Sequence, residues 1–138
     1  MKSTEIGWLF EDPTVTAKDY YRRTGVFPIM HVVGIRKELA AQHPWLPGAV
    51  FKAFSQSKAV ALDLLADTSA TKVTLPFVEE QLKAARESMG QDYWSYGVAA
   101  ARQTLETFVR HHHSQGLSQR LVPVEELFHP STYETYSI

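Results

Sequence analysis

The sequence of 138 residues contains no cysteine, which excludes disulfide bonds and metal sites built on thiolates. Its formal net charge of -1 gives no basic field of the kind that attracts nucleic acid or an anionic membrane surface. No apolar run approaches the length of a membrane span, and the N-terminus lacks the apolar core of a signal peptide. We therefore expect a cytoplasmic protein without nucleic-acid or membrane partners, provided that Met1 is the true start.

Several catalytic motifs are also missing from the sequence. There is no glycine-rich phosphate loop, no carboxylate-rich metal motif and no G-x-S-x-G nucleophile elbow. A hydrophobic content of 44% and a charged content of 21% are typical of a globular protein, and the length suits one ordinary domain. Candidate functional residues must therefore be sought among individual side chains, because none of these catalytic motifs is present.

One stretch, residues 26–35, is almost entirely apolar but carries a single histidine, His31. Its β-branched and aromatic residues, bounded by Gly25 and the charged residues from Arg36 onward, predict a β-strand. Both faces of this strand are apolar, which is typical of a central parallel strand. In a strand, Phe27 and His31 share one face and Met30 and Arg36 share the other. We therefore expect His31 to be buried.

The remaining sequence predicts helices. Residues 14–24 predict a short helix that Thr14 or Thr16 caps and Gly25 ends, and residues 42–67 predict a longer one. Residues 75–90 and 98–116 predict two amphipathic helices, the first capped by Thr74. A brief helix follows at residues 122–128, and the tail from His129 is predicted to be loosely attached. A single strand needs neighbours, so the missing strands are expected upstream or in another chain.

Three stretches together resemble a known family: YYRRTGVFPIMHVVGIRKEL, the following HPWLP with VFKAF, and DYWSYG at residues 92–97. They are similar to the C-terminal part of the 4,5-dihydroxyphthalate decarboxylase family, which is related to type 2 periplasmic substrate-binding proteins. The resemblance implies an α/β fold in which one main strand precedes mostly α-helices. It also implies that residues 1–25 end a second lobe, 26–36 form a crossover strand and 37–138 pack on a first lobe.

The resemblance further implies non-oxidative decarboxylation of a hydroxylated aromatic dicarboxylate, 4,5-dihydroxyphthalate, to protocatechuate and carbon dioxide. No cofactor or metal is expected, because the hydroxyl group donates electron density into the ring and no separate electron-accepting cofactor is needed. His31 is the candidate acid and base, since its charge responds to a nearby carboxylate. Arg36 and Arg23 are candidate carboxylate ligands, because arginine suits bidentate binding. Phe27 and Met30 are candidate substrate contacts. Half of the cleft is expected to be missing, so the isolated chain is expected to be inactive.

Other interpretations remain open. His31 alternatively packs as an ordinary buried histidine, and Arg22 and Arg23 alternatively form a solvated helix face. The same fold also serves small organic-acid binding proteins of ABC-type uptake systems, so a transport role is the alternative function. A homo-oligomer is possible. The three histidines at 111–113 diverge by about 100° each on a helix, which favours a structural role over a metal site.

Overall fold

The computed structural model describes residues 6–69 and 73–134. It contains five α-helices, which are α1 (Pro13–Thr24), α2 (Lys37–Gln42), α3 (Leu46–Ala66), α4 (Val78–Met89) and α5 (Val98–Ser114). Two short 3-10 helices, Val124–Glu126 and Pro130–Thr132, follow α5. No β-strand occurs within residues 6–69 or 73–134. The prediction of an α/β fold built on one main strand is therefore wrong, and the described chain is helical.

The missing strand has a physical reason. Residues 26–35 have the composition of a strand, but β-propensity acts through pairing with neighbouring strands. No neighbouring strand exists among the described residues, so residues 26–36 form irregular backbone between α1 and α2. The assignment of residues 1–25, 26–36 and 37–138 to parts of two lobes is not tested by these helices, and it stays a prediction. Residues 1–5 of its first part lie outside the described residues.

Helix α1 begins one residue earlier than the predicted helix. Asp12 caps it, because its carboxylate accepts hydrogen bonds from the backbone N–H groups of Thr14 at 2.9 Å and Val15 at 3.0 Å. Pro13 occupies the first turn, where a proline costs no hydrogen bond. The helix ends as expected at Gly25, which adopts the left-handed conformation with φ of 64°.

The buried core lies along α5. Val98, Leu105 and Val124 form its centre, with Ala101, Val109, Phe128 and Tyr133 packed against them. Two hydrogen bonds close this unit, since the Ala99 N–H donates to the Tyr133 carbonyl at 2.8 Å and the Tyr133 hydroxyl donates to the Glu125 carbonyl at 2.8 Å. The prediction of a loosely attached tail is therefore wrong through residue 134; residues 135–138 lie outside the described residues.

Helices α3 and α4 pack against each other, and α3 also contacts the 3-10 helix at Pro130–Thr132. Leu82 of α4 is buried, as expected for the apolar face of an amphipathic helix. The predicted cap is wrong: α4 begins at Val78, and Phe77 precedes it with a left-handed φ of 62°, a conformation that costs energy for a bulky residue. The Gln103 side chain joins α5 to the end of α1, and the Lys58 side chain joins α3 to the loop at residues 90–97.

Candidate functional site

The residues predicted to act on substrate all lie on one continuous stretch. Arg23 is in the last turn of α1, Phe27, Met30 and His31 lie in the irregular segment, and Arg36 immediately precedes α2. Proximity along the chain alone brings them together. The question for function is therefore which parts of this stretch the rest of the structure fixes in place.

The start of the segment is fixed against α5. The Gln103 side-chain amide donates a hydrogen bond to the Thr24 carbonyl at 2.6 Å. The Thr24 hydroxyl accepts a hydrogen bond from the Val26 N–H at 3.2 Å, and the Val26 side chain is buried. Because Gly25 has positive φ at this point, the chain turns sharply out of α1 and against α5. The beginning of the segment therefore has a defined position.

One aromatic contact continues this attachment. The Phe27 ring meets the Trp94 ring edge-on, with centroids 5.6 Å apart. Trp94 belongs to the DYWSYG loop between α4 and α5, which also carries Asp92 and Tyr96. The Lys58 ammonium of α3 donates to the Asp92 carboxylate at 2.7 Å and to the Trp94 carbonyl at 3.2 Å. The loop is thus attached on one side to α3 and touches Phe27 on the other.

Beyond Phe27 the segment is exposed. Ile29, Met30, Val32 and Val33 are all exposed, and so is His31. Residues 28–35 make no hydrogen bond to another described residue. The expectation that His31 is buried in this chain is therefore wrong, and its reason is the same as for the strand: the surface that would cover it is not among the described residues.

The candidate carboxylate ligands differ in what they contact. Arg23 is paired within α1, since its Nε lies 2.8 Å from an Asp19 carboxylate oxygen. That hydrogen bond lowers the pKa of Asp19, and Arg22 at 3.5 Å from the same carboxylate contributes to the effect. Arg36 makes no ion pair with another described residue. Arg36 can therefore bind an anion without first breaking an ion pair, whereas Arg23 cannot.

Two cavities of the described chain lie elsewhere. One of about 230 Å³ is lined by the end of α3 and residues 73–79, and another of about 410 Å³ by α3 and α4. The second contains Arg86, whose buried Nε has no hydrogen-bond partner. Neither cavity includes Phe27, Met30, His31 or the two candidate arginines. The segment lies outside both.

The histidine run at 111–113 is at the end of α5. The His112 ring packs on Phe108 with centroids 5.7 Å apart, and His113 Nδ1 lies 3.2 Å from the Ser118 carbonyl oxygen. No group of three potential metal-ligating side chains occurs in the portion of the chain that the structure describes. In the same portion, no helix is long and apolar enough to cross a membrane.

Comparison with known proteins identifies a relative. No family model matches the sequence. The chain is similar to a 4,5-dihydroxyphthalate decarboxylase. That protein, from Comamonas testosteroni, is 55% identical over 134 residues, which is 97% of this chain and 41% of the relative. The predicted resemblance to this enzyme is confirmed, and the chain spans about two fifths of the relative's length.

Sequence reasoning located the resemblance but missed the contacts of the DYWSYG loop. Aromatic residues such as Trp94 and Tyr96 predict packing contacts without a particular partner, and a single lysine on a helix, such as Lys58, has no distinguishing pattern. Lys58 and Asp92 are 34 positions apart, so no local spacing rule connects them. An unusually aromatic loop containing one aspartate is the signal that could have suggested a buried cationic partner.

Proposed function

We propose that this chain contributes to the decarboxylation of 4,5-dihydroxyphthalate to protocatechuate and carbon dioxide. The observation that carries the proposal is the 55% identity over nearly the whole chain to a decarboxylase named for that substrate. The phthalate substrate is a small aromatic acid, consistent with a site that offers cationic and aromatic side chains. The cytoplasmic location and the absence of a required cofactor stay predictions within this proposal.

The proposed reaction replaces a carboxylate by a proton. The ring hydroxyl para to the leaving carboxylate donates electron density into the ring, and the carbon that bears the carboxylate takes up a proton. The bond from that carbon to the carboxylate then breaks, its electron pair restores the aromatic ring, and carbon dioxide leaves. The protein must bind two carboxylates and deliver one proton at a defined carbon.

Within this proposal His31 delivers the proton. Its imidazole is exposed, so protons from solvent can reach it. Arg36 binds one substrate carboxylate, because its guanidinium has no described ionic partner. Arg23 would need to leave Asp19 to bind the other. Phe27 and Met30 would contact the ring.

The proposal includes a second polypeptide surface over the segment. The chain exposes 11117 Å², whereas a folded monomer of this mass exposes about 7,200 Å². Exposed residues of 29–33 contribute to this excess, and contiguous exposed apolar residues mark interaction surfaces. We infer that the isolated chain lacks one wall of the cleft and does not turn over substrate by itself. A homo-oligomer is one arrangement that would supply such a wall.

A chimaera tests the proposed function. The 134-residue matched part of the Comamonas enzyme is replaced by this chain, and release of protocatechuate and carbon dioxide is measured. His31→Gln in the chimaera is expected to lower kcat by about 10²- to 10⁴-fold, the usual contribution of a general acid. His111→Gln, which changes an exposed histidine on α5, is the matched control and should leave kcat unchanged.

Two results would contradict the proposal. Unchanged kcat in the His31→Gln chimaera removes His31 as proton donor. A folded chimaera that binds 4,5-dihydroxyphthalate tightly without releasing carbon dioxide contradicts the enzymatic function and supports a binding role of the uptake type. Circular dichroism of each chimaera establishes that the protein is folded before either result is interpreted.

A further inference from the structure

Lys58 stands out among the lysines of the described chain. Its side chain is only 18% exposed, whereas its partner Asp92 is 55% exposed. Its ammonium donates to the Asp92 carboxylate and to the Trp94 carbonyl, and it lies 4.9 Å from the centroid of the Tyr96 ring. Three partners compensate the loss of hydration that a nearly buried ammonium incurs.

All three partners of Lys58 belong to one loop. Asp92, Trp94 and Tyr96 alternate along the stretch between α4 and α5, so one side chain from α3 contacts the loop at every second residue. Gly90 and Gly97 flank this stretch with φ of 92° and 94°, which leaves both ends of the loop able to turn. The Lys58 contacts therefore determine where the loop lies relative to α3.

The loop in turn meets the stretch that carries the candidate site. Trp94 contacts Phe27 edge-on at 5.6 Å, and Phe27 is the last residue before the exposed part of the segment. The other described attachments, from Gln103 and through Val26, lie closer to α1. The Trp94 contact is therefore the described attachment nearest to His31 on the α1 side of the segment.

We propose that Lys58 is a positioning residue: by holding the DYWSYG loop on α3 it places Trp94 against Phe27 and so fixes the position from which the His31 segment departs. A role of this positioning in decarboxylation rests on the proposed function, whereas the positioning of the loop by Lys58 does not. Lys58 touches no candidate substrate-binding residue, so it acts only through the loop.

The experiment uses the 138-residue chain with Trp8→Phe and Trp45→Phe, which leaves Trp94 as the only one of its three tryptophans. Lys58→Met keeps the length of the side chain but removes its charge and its donors. We expect red-shifted Trp94 emission and acrylamide quenching that rises about twofold, because the loop opens locally. The amide order parameter of Phe27, measured by ¹⁵N relaxation, should fall from about 0.85 toward 0.6.

Three comparisons make this test specific. Lys58→Arg keeps the charge and donors and should restore both signals at least partly, which a general packing defect would not allow. Lys52→Met removes an exposed lysine from the same helix and should change neither signal. Should Lys58→Met fail to fold, Asp92→Asn keeps Lys58 and removes one ion pair, and it should show a smaller change in the same direction.

The outcomes separate this proposal from the proposed function. Unchanged Trp94 quenching in folded Lys58→Met overturns the claim that Lys58 holds the loop. Increased quenching with an unchanged Phe27 order parameter overturns the claim that the loop positions the segment. Neither measurement involves substrate, so an inactive chimaera would contradict the decarboxylase proposal and leave the positioning role of Lys58 standing.

Discussion

Two apolar regions of this molecule have opposite surroundings. Residues 98–134 bury Val98, Leu105 and Val124 and return to α5 through the hydrogen bonds of Tyr133. Residues 28–35 are even richer in apolar side chains but make no hydrogen bond to another described residue, and Val33 is 62% exposed. The difference teaches that apolar composition does not by itself determine burial.

The reason lies in how each backbone satisfies its hydrogen bonds. A helix such as α5 satisfies its interior backbone groups itself, so it needs only one apolar face against a neighbour. The following residues 124–134 lie close in sequence and supply that neighbour at small entropic cost. A strand depends on backbone partners from another strand. Residues 28–35 have none within the described chain and remain irregular.

The sharpest test of this comparison removes side-chain atoms from each region. Leu105→Ala is expected to lower the free energy of unfolding by about 3 kcal/mol, because Leu105 is 7% exposed and its removal leaves a cavity. Val33→Ala should change it by less than about 0.5 kcal/mol, as for other exposed positions. Urea denaturation followed by circular dichroism measures both. A Val33→Ala cost close to that of Leu105→Ala would show that the segment is covered in solution.

The second test compares Gly25, at the end of α1, with Gly34, within residues 28–35. Gly25 has φ of +64°, and a Cβ there would lie 3.2 Å from the Gln103 side-chain oxygen, so Gly25→Ala should cost about 1–2 kcal/mol. Gly34 has no atom within 4 Å of an added Cβ, and Gly34→Ala should be neutral or stabilise by up to about 1 kcal/mol. Thermal unfolding of the two variants measures both changes in stability. Equal effects would contradict a segment fixed at its start and free further along.

Local sequence patterns predicted where the helices occur better than they predicted the residue at which each helix begins. Gly25 ended α1 as expected, because positive φ at a helix end is a local property of glycine. The caps were misplaced: Asp12 caps α1 instead of a threonine, and Phe77 precedes α4 in a strained conformation. Several nearby residues can serve as a cap, and packing of the whole helix selects among them.

The strand and the environment of His31 could not be obtained from the sequence. Both depended on neighbours that the described chain does not contain, so a correct reading of β-propensity gave a wrong structure. The family resemblance could be obtained from the sequence, because each motif that carries it is a continuous stretch of residues. The Lys58 contacts could not be predicted from the sequence, because they join α3 to a loop 34 positions away and form only when the helices are packed.

The smallest expected effect concerns acid stability of the packed region. An Arg102 guanidinium nitrogen lies 2.7 Å from the Glu125 carboxylate, joining α5 to the 3-10 helix at Val124–Glu126. A hydrogen bond from its own backbone N–H and the hydrogen bond from Arg102 both lower the pKa of Glu125. The ionised carboxylate therefore stabilises the folded state above the pKa of an unfolded glutamate, and this contribution disappears as the pH falls through the lowered folded-state pKa.

Arg102→Met should therefore lower Tm slightly at pH 7 and reduce the loss of Tm between pH 7 and pH 3, because the ionised and protonated forms of Glu125 then differ less in the stability they give. The effect is small because both side chains are about half exposed and solvent screens the pair. Lys83→Met is the matched control: it breaks the exposed pair of Lys83 with Glu87 within α4, away from the α5 core, and it should leave the pH dependence of Tm unchanged. Calorimetry at several pH values measures Tm, with Arg102→Lys as a charge-retaining variant. An unchanged pH dependence in Arg102→Met would show that the ion pair adds nothing measurable, and that the apolar contacts of Val124 and the hydrogen bond from Tyr133 to Glu125 hold this end of the packed region.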